Sequence, residues 1–97
     1  KAIERLSNRA KDLQKRADAL FDEFMKLKRK ITRVESDIHY MRYEKYHLQG
    51  YNVHEYLEKL KDKFSDIRDE YFEARDKAER IRQYLKRITF EQQINIK

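Results

Sequence analysis

Ninety-seven residues allow one domain at most. The charged fraction of 43% far exceeds the usual ~25%, and with 39% hydrophobic residues the chain cannot build a thick globular core. With no cysteine there is neither a disulfide framework nor a thiolate metal site, and the net charge of +6 points toward acidic or phosphate-bearing partners.

No apolar run approaches the ~18 residues of a membrane span, and no signal-peptide pattern is present. The sequence starts at Lys1, with an apolar repeat already under way by Ile3, so it is expected to be a processed protein or an excerpt of a longer chain.

From the start to about Leu48, apolar residues alternate at steps of three and four. They are Ile3, Leu6, Ala10, Leu13, Ala17, Leu20, Phe24, Leu27, Ile31, Val34, Ile38 and Met41, with Lys45 the polar exception before Leu48. This 3.5-residue period is a coiled-coil seam, with Ile3 at position a and Leu6 at d. It predicts a first helix over about 1–48.

The turn is expected at about 49–52. Gly50 is the lone glycine of a chain without proline, and it suits the left-handed C′ position of a helix end. Tyr51 then falls at C″, against Tyr46. Asn52 is an N-cap, Glu55 its capping-box partner, and Tyr51 with Tyr56 a hydrophobic staple.

A second helix is predicted over about 53–90. Val53, Leu57, Leu60, Phe64, Ile67, Tyr71, Ala74, Ala78, Ile81, Leu85 and Ile88 continue the alternation. The repeat then lapses at Gln92 and Asn95, leaving Ile94 and Ile96 in a tail off the seam. The two seams are out of phase across Gly50, which favours a fold-back over one unbroken helix. The expected fold is all-α: two long helices in an antiparallel coiled-coil hairpin, 1–97 forming a single unit. Because two helices cover a core on one side only, dimerisation into a four-helix assembly is a natural extension.

A turn centred on Gln49 sets Phe24 against Ala74, Leu20 against Ala78, Ala17 against Ile81 and Val34 against Phe64. On one edge it pairs Arg9 with Glu91, Arg16 with Tyr84, Glu23 with Lys77, Lys30 with Glu70, Asp37 with Lys63 and Glu44 with Tyr56. The opposite edge is unbalanced, with Lys28, Arg42, Lys61, Arg68, Arg75 and Arg82 against Glu35, and Phe21 beside them. That edge is either a solvated flank or a surface for an acidic helix or a phosphate backbone.

Charge also collects at the chain ends: residues 1–17 and 80–97 each carry +4. Lys26–Arg33 resembles a nucleic-acid patch, but Asp66, Asp69, Glu70 and Glu73 are expected to neutralise it.

Tyr40, Tyr43, Tyr46, Tyr51 and Tyr56 crowd the turn and form a candidate tip interface, since tyrosine offers a rigid apolar body with a polar end. His47 and His54 are expected close together there, but without a third ligand no metal site is assigned. No serine has a histidine base nearby and no glycine-rich phosphate loop exists, so neither catalysis nor a cofactor is expected.

The architecture resembles the coiled-coil arms of seryl-tRNA synthetases and SMC-type ATPases, without shared motifs. Length and central turn are also similar to the small secreted helical hairpins with a Trp-x-Gly turn. Leu48-Gln49-Gly50 keeps the glycine and lacks the tryptophan, and Arg75 and Ile88 stand where that family's Tyr-x-x-x-Asp/Glu signal would place an acid. The functional expectation is a non-catalytic protein-interaction or oligomerisation module, with a basic nucleic-acid-binding arm as the alternative.

Overall fold

A computed structural model of the chain describes residues 2–95, with side chains described as far as Glu91. Lys1, Ile96 and Lys97 lie outside the described residues, as do the side chains of Gln92, Ile94 and Asn95, where the repeat lapses. The described residues are helical apart from two short connections, 40–43 and 49–52, with two long helices, and contain no strand. In chain order they form α1 (Ala2–His39), α2 (Glu44–Leu48) and α3 (Val53–Asn95).

The first helix is shorter than the apolar repeat predicts. It stops at His39 rather than near Leu48, and a short α2 occupies the difference. Met41 is the reason: it adopts a left-handed φ of 56°. The Met41 N–H donates to the Ile38 carbonyl at 3.1 Å and the Arg42 N–H to the Asp37 carbonyl at 2.7 Å. Those two bonds are a Schellman motif with methionine where glycine usually sits. Met41 and Leu48 consequently leave the seam and lie 77% and 80% exposed.

The second stop follows the same geometry with the expected residue. Gly50 has φ 77°, its N–H donates to the His47 carbonyl at 3.0 Å, and the Tyr51 N–H donates to the Tyr46 carbonyl at 2.8 Å. α3 then runs on to Asn95, past the expected end near Phe90.

The contacts divide the chain into two compact units, one of residues 20–69 and one of residues up to 19 with those from 70 onward. In the 20–69 unit, Leu27, Ile31, Val34, Tyr46, Val53, Leu57 and Leu60 form a buried cluster, with Ile38, Tyr43, Tyr56, Phe64 and Ile67 packed against it. Each fully buried aliphatic side chain contributes roughly 1.5–3 kcal/mol. Phe24 stacks on Phe64 with centroids 4.5 Å apart, Lys30 lies over the Tyr56 ring at 5.7 Å, and Lys61 approaches Glu35 at 4.0 Å.

The other unit has a different core. Its buried residues are alanines: Ala10, Ala17, Ala74 and Ala78. Leu6, Leu13, Ile81, Leu85 and Ile88 are only half-buried. Arg82 donates to the Gln14 side-chain oxygen at 2.7 Å, and Arg16 pairs with Glu70 at 3.6 Å.

These partners correct the expected edge pairs. Arg16 takes Glu70 instead of Tyr84, and Asp37 takes Lys45 instead of Lys63. Lys30 takes Tyr56, and Lys77 bonds Glu73 on its own helix. The early stop at His39 moves the centre of the turn from Gln49 back toward Tyr46, so facing residues on α3 come from nearer its start.

Candidate functional site

The joint between α1 and α2 is the most tightly bonded polar feature of the described residues. Asp37 is buried at 5% exposure. Its carboxylate accepts a short hydrogen bond from the Tyr46 hydroxyl and pairs with Lys45 Nζ at 2.7 Å. The Lys45 bond, followed by the Tyr46 bond, holds the Asp37 carboxyl below the usual carboxylate range. Burial, followed by the Asp37 bond, pushes the Tyr46 phenol up to about 12. Asp37 carried no mark in the sequence beyond its place on the seam flank. The available signal was Lys45, a cation where the repeat asks for an apolar residue.

At the second turn, Asn52 caps α3. Its Oδ1 accepts from the His54 N–H at 3.0 Å and the Glu55 N–H at 3.3 Å. The return bond of a capping box, from the Glu55 carboxylate to the Asn52 N–H, is not formed. Tyr51 stacks on Tyr56 at 5.1 Å, and Tyr56 lies 5.9 Å from Tyr46.

The five tyrosines therefore do not make one exposed tip. Tyr46 is buried at 6%, because the early helix stop swings α2 onto the core, and Tyr43 and Tyr56 are half-buried against it. Tyr40 and Tyr51 remain exposed. Tyr43 lies 6.1 Å from the His47 ring and 6.2 Å from the His54 ring. Among the described residues no group of three His, Asp or Glu side chains is placed to hold a metal ion. None of their helices is long and apolar enough to cross a membrane.

On the basic edge, the α3 residues each have a carboxylate at hand. Lys61 has Glu35, Arg68 has Asp69 at 3.6 Å, Arg75 has Asp76 at 3.9 Å and Arg82 has Glu79 at 3.5 Å. Arg75 also lies over the rings of Tyr71 and Phe72, at 5.7 and 5.1 Å. Phe21 is 42% exposed and ring-stacked on Phe24 at 6.3 Å.

Of the four acids expected to neutralise the Lys26–Arg33 run, three pair with other cations: Asp69 with Arg68, Glu70 with Arg16 and Glu73 with Lys77. Lys28, Arg29 and Arg33, together with Arg42, line one depression of about 550 Å³ on the outer side of α1. The chain matches no family model, no curated protein and no solved structure.

Proposed function

We propose that the chain is a non-catalytic antiparallel coiled-coil hairpin whose task is protein–protein interaction, with self-association into a four-helix assembly as the simplest form. The opposite order of contacts within each unit supports the antiparallel reading. Gln14 meets Arg82 while Arg16 meets Glu70, and Phe24 meets Phe64 while Lys30 meets Tyr56.

One observation carries the interaction reading. In the unit built from the chain's two end segments, full burial stops at alanines, and Leu13, Ile81 and Leu85 are left half-covered. Small residues let two helices approach closely, but the larger side chains beside them then need a further layer to leave water. Phe72, Tyr84 and Phe90, exposed at 41%, 51% and 62%, add apolar area outside the seam.

The nucleic-acid reading rests on Lys61, Arg68, Arg75 and Arg82, with Arg80 and Arg87 also on α3, and the carboxylate beside each of the first four weakens it. Sedimentation at two salt concentrations, with and without RNA or DNA, separates the two. The interaction module predicts self-association insensitive to salt, reduced by Leu13→Ser with Leu85→Ser. Complexes with nucleic acid that dissolve steeply as salt rises would favour the alternative.

A further inference from the structure

We propose that the basic trough on the outer side of α1, formed by Lys28, Arg29, Arg33 and Arg42, is a binding site for a cluster of phosphate groups. The four cations line a single concavity within the 20–69 unit, together with the hydroxyl residues Thr32 and Ser36. None of the four has an ion-pair partner among the described residues, whereas the basic residues on the α3 edge all do. Asp37 is the one acid lining the trough, and its carboxylate is already held by Lys45 and Tyr46.

The placement of Arg42 is the second observation. It comes from the loop, and the Schellman stop returns it to the trough by tying its N–H to the Asp37 carbonyl. Its guanidinium lies over the Tyr40 ring at 5.0 Å, which fixes a flexible side chain in place. A helix that sets Arg29 and Arg33 four residues apart and then folds a third arginine beside them gathers like charges that repel one another. A multiply charged anion removes that repulsion.

Arginine forks offer paired donors in a rigid plane, which phosphate oxygens accept in bidentate fashion. From residue 29 to residue 33 the helix rises about 6 Å, which suits neighbouring phosphates rather than one ion. The negative end of the α1 dipole opposes an anion, but that effect fades within the last turn, beyond Arg33. The shared chemistry is a polyphosphate group, whether free in solution or on a lipid headgroup.

The test is calorimetric titration of the full chain with inorganic tripolyphosphate at low and physiological salt. Saturable one-to-one binding is expected, weakened about a hundred-fold by Arg29→Gln with Arg33→Gln, since each charge-assisted bond lost costs about ten-fold. Lys28→Gln should weaken it in the same direction. Arg68→Gln with Arg75→Gln should leave it unchanged, with equal helicity in all variants. Vesicles with and without phosphatidylinositol bisphosphate, competed by soluble inositol trisphosphate, distinguish the lipid source from the free one. No saturable binding, or equal weakening by both double variants, would overturn the proposal. So would preferential binding of single-stranded RNA that is lost with the α3 variant.

Discussion

The hydroxyl of Tyr46 donates to the buried carboxylate of Asp37, joining the last turn of α1 to the middle of α2. Lys45 Nζ meets the same carboxylate oxygen at 2.7 Å. The Tyr46–Asp37 pair ties α2 back onto the end of α1, and it sets the pH behaviour of the joint.

Asp37 titrates below its ordinary value in the folded chain, so its contribution is present above about pH 4 and is lost as pH falls through the folded value. Tyr46 is raised to about 12, so its contribution is complete below about pH 10 and is lost between about 10 and 12. Helicity followed by circular dichroism should therefore fall at both extremes. In Tyr46→Phe the alkaline step should shrink, and the thermal midpoint should drop at neutral pH. An unchanged alkaline step in that variant would show that Tyr46 does not govern the alkaline transition.

Met41 holds a left-handed backbone at φ 56° with its side chain 77% exposed. A left-handed residue with a Cβ costs roughly 1–2 kcal/mol, and little packing is lost when such an exposed side chain goes. Met41→Gly is expected to stabilise by about 0.5–1 kcal/mol after glycine's entropy is counted, and Met41→Val to destabilise. Urea midpoints with unchanged slopes are the measurement.

At the second turn the roles divide cleanly. An added Cβ at Gly50 meets nothing within 4 Å, so Gly50→Ala should cost only the conformational ~1–2 kcal/mol of φ 77°. Asn52→Ala should cost about 1 kcal/mol through the uncapped N–H groups of His54 and Glu55. Asn52→Ser should recover most of the loss in chemical denaturation.

The contrast between these turns marks what the sequence discloses. Gly50, Asn52 and the Tyr51–Tyr56 staple announce themselves, because glycine, an amide cap and flanking aromatics have few other uses in a helical chain. The stop at Met41 does not, because its left-handed backbone falls on a residue type that prefers to remain helical. The two long helices and their apolar stripe follow from period alone. Partner identities along the edges depend on the turn's centre, so the hidden stop displaced them. It also left the trough beside Arg42 illegible, since Arg42 joins Arg29 and Arg33 only through that fold of the loop.

Ala17 and Ala78 are fully buried. Ala78→Leu inserts bulk where two helices approach closely and should destabilise by about 1–3 kcal/mol. Leu13→Ala, at a half-covered position, should cost the isolated chain less and weaken its assembly more. Denaturation at two protein concentrations resolves the two effects.

In the proposed hairpin the two long helices are each other's mates. Spin labels at Gln14 and Arg82, 68 positions apart and bonded at 2.7 Å, test it most directly through a chain that has no native cysteine. In dilute, magnetically isolated chains the hairpin predicts a narrow distance distribution below about 30 Å, the spacing of two packed helices plus the labels. A distribution near 100 Å, from about 1.5 Å per residue along one unbroken helix, would contradict it.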